Sequence, residues 1–143
     1  ILTALPESII INVKRDPVAT CWSNFKTNFD DEQLTFTNDL NELTEFYKLY
    51  SDLMIFWNEK FPNKIYDLKY ENLVNQQELE SKKLIKHIGL NWEKDCLKFY
   101  NNKRIVQTAS SIQVRKKIYK NSSSQWKNFE KYLTNMKKEL RDY

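Results

Sequence analysis

The feature that most constrains this chain is a β-branched run that stops at Arg-Asp-Pro. Ser8-Ile9-Ile10-Ile11-Asn12-Val13-Lys14 is short, almost continuously apolar and bounded by Pro6 and Asp16-Pro17. Such a run predicts a strand buried on both faces. Asp16 has the short acceptor side chain of an N-cap, and Pro17 suits the first helical position, where a missing N–H costs nothing. Helix is expected to continue through Val18–Phe25. Strand, sharp turn and helix make one α/β unit.

A second unit follows. Asp30–Asn38 is polar and reads as a loop. Leu40, Leu43, Phe46-Tyr47, Tyr50, Leu53-Met54 and Trp57 recur at three-and-four spacing, which predicts a long amphipathic helix that Phe61-Pro62-Asn63 ends. Lys64–Tyr70 predicts a strand, and Glu71–Val74, Glu78–Ile88 and Trp92–Tyr100 predict helices. The stretch Gln107–Ser124, rich in Ser, Lys and Gln, has no period and predicts a loop. Trp126–Tyr132 and Thr134–Arg141 close the chain in helix. Two strands alternating with helices imply a parallel sheet, but two strands make a poor sheet alone, so further strands are expected upstream.

Composition removes several classes. With 143 residues, 41% hydrophobic and 14% aromatic, the chain is long and apolar enough for one cored domain. No apolar run reaches the roughly 20 residues that span a bilayer. Ile1–Pro6 lacks the basic region and cleavage site of a signal peptide and reads as a sequence entered partway through an element. The charge of +4, from 23 basic and 19 acidic residues, is spread along the chain, with doublets at Lys116-Lys117 and Lys137-Lys138. A nucleic-acid partner would normally need a tighter cluster. Cys21 and Cys96 are expected as buried free thiols, and His87 as a solvated or core-edge residue. Gly89 is the one glycine. It is expected as a left-handed helix cap, and no Gly-rich phosphate loop can form within these residues.

In an open α/β sheet, ligands bind beyond the carboxyl ends of the strands. Arg15 sits at such an end, just before a helix N-terminus whose dipole and free N–H groups favour an anion. Its planar fork of donors matches phosphate oxygens, and Ser23 can add a hydroxyl two turns along the helix. Tyr70 closes the second strand at the equivalent edge, where it either stacks on a purine or joins the core. The loop residues Ser110, Gln113, Arg115 and Lys116 either cover a nucleotide or form a solvated basic loop. On these residues alone, a kinase-like group transferase and a non-enzymatic basic interaction module stay open as alternatives.

Taken together, these stretches resemble the sulfotransferase superfamily. Val13-Lys14-Arg15-Asp16-Pro17-Val18-Ala19, with Ser23 eight places after the arginine, resembles its 3′-phosphate-binding motif. Leu68-Lys69-Tyr70-Glu71-Asn72-Leu73 is similar to its Tyr-Glu-Asp-Leu signature. Thr108–Arg115, Ile118-Tyr119 and Ser124-Gln125-Trp126 resemble a narrower group, the tyrosylprotein sulfotransferases and the bacterial sulfotransferases fused to tetratricopeptide repeats. The likeness runs in order from about Ile9 to Tyr132.

The resemblance implies the C-terminal portion of a P-loop-like parallel-sheet α/β fold, mostly helical in this stretch, with residues 1–143 as part of a single domain. It implies an enzyme that transfers a sulfuryl group from 3′-phosphoadenosine 5′-phosphosulfate to the hydroxyl of a peptide, saccharide or small molecule, with no metal. A base would take the acceptor proton while donors stabilise the leaving nucleotide. Arg15 and Ser23 would bind the 3′-phosphate and Tyr70 would contact the nucleotide near adenosine. Ser110, Gln113, Arg115 and Lys116 would belong to the loop closing over it. The family's 5′-phosphosulfate loop is absent here and its catalytic base lies upstream, so no catalytic residue is expected in this chain, which would be inactive alone. Gln125 stands where relatives often carry a basic residue, and Thr27 where tyrosylprotein relatives have arginine, with Lys26 adjacent.

Overall fold

The computed structural model describes residues 1–29, 32–106 and 112–143. Two strands, β1 (Ile10–Lys14) and β2 (Ile65–Lys69), pair in parallel with Ile10 opposite Ile65 and Lys14 opposite Lys69. Parallel neighbours need a long crossover. Here it consists of α1 (Pro17–Phe25), a 3-10 segment (Glu32–Asn38) and α2 (Leu40–Lys60). The sequence predicts a loop where the 3-10 segment lies. Thr37 accounts for part of the difference, since its hydroxyl donates to the Leu34 carbonyl at 2.7 Å and tightens the turn.

Both crossover helices begin as their sequences dictate. The Asp16 carboxylate accepts from the Ala19 N–H at 2.6 Å with Pro17 in the first turn. The Asp39 carboxylate accepts from Asn41 and Glu42 N–H at 2.7 and 3.0 Å. Each cap satisfies donors that no carbonyl can reach. After β2 come α3 (Tyr70–Asn75) and α4 (Gln77–His87), and Gly89 lies at φ +75°, the left-handed position expected of it. The helices expected over Trp92–Tyr100 and Trp126–Tyr132 are 3-10 segments, Lys94–Asn101 and Gln125–Tyr132; α5 (Thr134–Glu139) ends the fold.

The core lies to one side of the sheet. Val18, Ala19, Cys21 and Trp22 of α1 pack with Leu43 of α2 and with Trp126, Leu133, Met136 and Leu140, so the C-terminal segment folds back over the crossover. Trp22 and Phe129 rings approach to 4.7 Å, and Lys48 of α2 pairs with Glu139 at 2.6 Å. Each fully buried Leu stabilises by about 1.5–3 kcal/mol.

The sheet departs from expectation. β1 is not buried on both faces: Ile11 and Val13 are 39% and 54% exposed, and the buried residue of the strand is Asn12. Two strands leave β1 with one paired edge, and the helix against it is held by polar contacts. Tyr50 donates to Asn12 Oδ1 at 2.6 Å, and Asn12 Nδ2 donates to Asp67 at 2.8 Å. Cys96 is exposed rather than buried, because its 3-10 segment buries no residue; Cys21 is buried as expected. Among the described residues no helix is long and apolar enough to cross a membrane.

Candidate functional site

At the carboxyl end of the sheet, β1 and β2 deliver consecutive residues to one place. β1 runs into Arg15-Asp16 and β2 into Tyr70-Glu71, while the chain returns much later to set Ser122-Ser123 against both. Arg15 is held on three sides. Its Nε donates to Ser123 Oγ at 3.2 Å, its Nη2 to the Ser122 carbonyl at 2.6 Å, and its guanidinium carbon lies 5.2 Å from the centre of the Tyr70 ring. That last contact is a cation–π arrangement. Tyr70 also shares a hydrogen bond of 2.9 Å with Ser122 Oγ. Both Nη1 hydrogens and the second Nη2 hydrogen have no partner among the described residues.

These residues wall a cleft of about 250 Å³ whose sides are Arg15, Ala19, Trp22, Ser23, Lys26, Thr27, Tyr70, Gln113, Tyr119, Ser122 and Gln125. It contains two cations and no carboxylate. The Ser23 hydroxyl and Gln113 amide have no hydrogen-bond partner among the described residues, whereas Lys26 Nζ donates to Gln125 Oε1 at 3.2 Å and lies over the Trp22 ring. Trp22 Nε1 is buried without a partner among the described residues.

A neighbouring hollow of about 290 Å³, between β1 and α2, has its hydroxyls already engaged: Tyr50 on Asn12, and Tyr47 on the Arg15 carbonyl at 3.4 Å. Burial, first, then nearby Tyr50 push the Tyr47 phenol up to about 12, and burial does the same for the Cys21 thiol, so both are neutral at physiological pH. Apart from Arg15, which it shares with the cleft, that hollow is lined by neutral side chains.

Glu71 stands behind Arg15. It accepts from Ser123 Oγ at 2.6 Å and from the Asp16 backbone N–H at 3.1 Å. Burial pushes its pKa upward, but the Ser123 hydroxyl, the backbone N–H groups of Asp16 and Glu71 and the Arg15 charge outweigh burial, so the carboxyl titrates below its ordinary value.

Of the residues singled out in the sequence, Arg15, Ser23, Tyr70 and Gln113 meet in this cleft. Arg115 does not: it donates instead to the carbonyls of Asn102 and, at 2.7 Å, Arg104. Lys116 is exposed and lines no part of the cleft. Ser110 lies outside the described residues. The sequence reading noted Lys26 only as the basic neighbour of Thr27, gave it no site role, and missed Ser122. Lys26 had a signal, since Ala19, Ser23 and Lys26 share one face of α1 by the three-and-four rule. Ser122 had none beyond the serine-rich composition of its loop, for its partner is 107 positions away.

Residues 1–94, which include β1, α1, α2, β2, α3 and α4, match the model described as Sulfotransferase family. The chain belongs to the sulfotransferase family. It is also 36% identical over 136 residues to an uncharacterized protein of Aquifex aeolicus (strain VF5), a match covering 94% of this chain and 18% of that protein. The chain thus spans about a fifth of that relative's length. No solved structure matches. Family membership supports sulfuryl transfer in general, and the family generally uses 3′-phosphoadenosine 5′-phosphosulfate. The family match stops before the serine-rich loop, so it does not bear on the narrower likeness to tyrosylprotein and tetratricopeptide-repeat sulfotransferases.

Proposed function

We propose that this chain forms the part of a sulfotransferase that grips the adenosine 3′-phosphate end of 3′-phosphoadenosine 5′-phosphosulfate. The observation that carries the reading is the cleft's lining: Arg15 and Lys26, hydroxyls and amides, and no carboxylate. A dianionic phosphate needs several charge-assisted donors and is repelled by acids. Arg15 has spare N–H donors and Ser23 an unengaged hydroxyl, so the donor set fits that group.

In this reading Arg15 binds the 3′-phosphate with Ser23 beside it, and Lys26 adds a second positive charge. Tyr70 orients the guanidinium from below and, with Gln113, flanks the nucleotide. Arg115 steadies its own segment through the Asn102 and Arg104 carbonyls; Ser110 and Lys116 are kept as candidates for the loop that covers the nucleotide. When bound, the nucleotide supplies the activated sulfuryl group. The acceptor is a hydroxyl, and the likeness of the Thr108–Trp126 region to tyrosylprotein sulfotransferases favours a phenolic one.

The experiment is to compare binding of 3′-phosphoadenosine 5′-phosphosulfate with adenosine 5′-phosphosulfate by the complete protein, then assay labelled transfer to mixed phenolic and sugar acceptors. Preference for the 3′-phosphorylated donor by at least tenfold and transfer to a hydroxyl are expected. Equal affinity for the two donors would overturn the reading.

A further inference from the structure

Arg15, Ser123, Glu71 and Asp16 form a closed ring of interactions. Arg15 Nε–H donates to Ser123 Oγ, Ser123 O–H donates to Glu71 Oε1, and Glu71 Oε1 accepts from the N–H of Asp16, the residue bonded to Arg15. A serine hydroxyl has one proton, and an ionised carboxylate can only accept. Glu71 therefore draws the Ser123 proton to itself and leaves the Ser123 lone pairs facing Arg15. Next to it, Tyr70 contacts Ser122, so two consecutive residues after β2 grip two consecutive serines, with the guanidinium between them.

Resting on the function proposed above, we infer that Glu71 is a positioning residue for the anion site: it fixes the Ser123 hydroxyl so that Arg15 is held along its Nε edge and presents its remaining donors to the cleft. Glu71 does not line that cleft, so it acts through Ser123 and the Asp16 backbone. A guanidinium anchored in this way loses less conformational freedom when it binds an anion than a free side chain would. The carboxylate also offsets part of the positive charge near the cleft. Its effect on anion binding is therefore favourable only through geometry, which makes the two contributions separable.

The test uses the complete protein with adenosine 3′,5′-bisphosphate and adenosine 5′-monophosphate as probes, measured by calorimetry on wild type, Glu71→Gln, Ser123→Ala, Arg15→Ala and the Arg15→Ala/Glu71→Gln pair. Glu71→Gln and Ser123→Ala are each expected to weaken the bisphosphate about tenfold, leaving the monophosphate within twofold. On the Arg15→Ala background, Glu71→Gln is expected to add little. A role confined to folding would weaken both nucleotides alike and would be additive with Arg15→Ala. Either of those results, or tighter bisphosphate binding by Glu71→Gln from simple charge removal, overturns the positioning role. If Glu71→Gln does not fold, Ser123→Ala decides by the same ratio. If wild type itself shows no preference for the bisphosphate, the proposed function fails and this inference with it; preference in wild type with unchanged variants removes the inference alone.

Discussion

Two regions of the sheet-and-helix scaffold are built differently. Around the cleft, α1, the first turns of α2 and the C-terminal segment close on one another, and Leu133, Leu140 and Cys21 are almost wholly buried. Along β1 and the rest of α2, apolar side chains face solvent: Ile9, Ile11 and Val13 of the first strand region and Leu49, Leu53 and Phe56 of α2 are all more than a third exposed. The first region is held by packing, the second by the β1–β2 ladder and the polar chain from Tyr50 through Asn12 to Asp67. The contrast teaches that the cleft's scaffold is supported from within the described residues. The sheet face has no comparable cover among them, and apolar surface of that extent is where a soluble protein is expected to meet a further element.

The largest effect expected from this contrast is in the core. Leu140→Ala should destabilise by about 2–5 kcal/mol, while Leu49→Ala should stay within about 0.5 kcal/mol. Urea unfolding of both variants would check it, and equal losses would erase the distinction between the two regions. Next in size is the cap that joins sheet to cleft. Asp16→Ala removes the acceptor for the Ala19 N–H and should cost about 1 kcal/mol, read from the same unfolding curves.

A smaller effect should appear with pH. Glu71 has a folded-state pKa below its unfolded one, so its stabilisation is present above the unfolded value and is lost as pH falls through the folded value. Around it stand Arg15, Asp16, Tyr47, Lys120 and Lys127. The thermal midpoint of wild type should therefore fall more steeply on acidification than that of Glu71→Gln. Parallel curves would mean the Ser123–Glu71 contact does not stabilise the fold.

Much of the fold was legible in the sequence where its determinants are local. Asp16-Pro17 announces a capped helix, Gly89 a left-handed cap, and Arg15 and Tyr70 their strand-end positions, from a few neighbouring residues each. The open region misled for a definable reason. A β-branched run indicates what a strand would prefer to bury, and whether both faces are covered depends on distant elements, so Ile11 and Val13 are exposed where burial was expected. The loop failed similarly. Arg115 was a candidate either to cover a nucleotide or to stand in a solvated basic loop, and here it donates to the carbonyls of Asn102 and Arg104, which no local pattern signals. Ser122 and Ser123 look like linker composition until the fold brings them to Arg15.

The central claim is that Arg15, fixed at the carboxyl end of β1, recognises a 3′-phosphate. The most direct measurement is calorimetric titration of adenosine 3′,5′-bisphosphate into the complete protein and into its Arg15→Ala variant, with circular dichroism to verify folding. Loss of a charge-assisted contact predicts about ten- to a hundredfold weaker binding by the variant. Unchanged affinity in a folded Arg15→Ala protein would contradict the account.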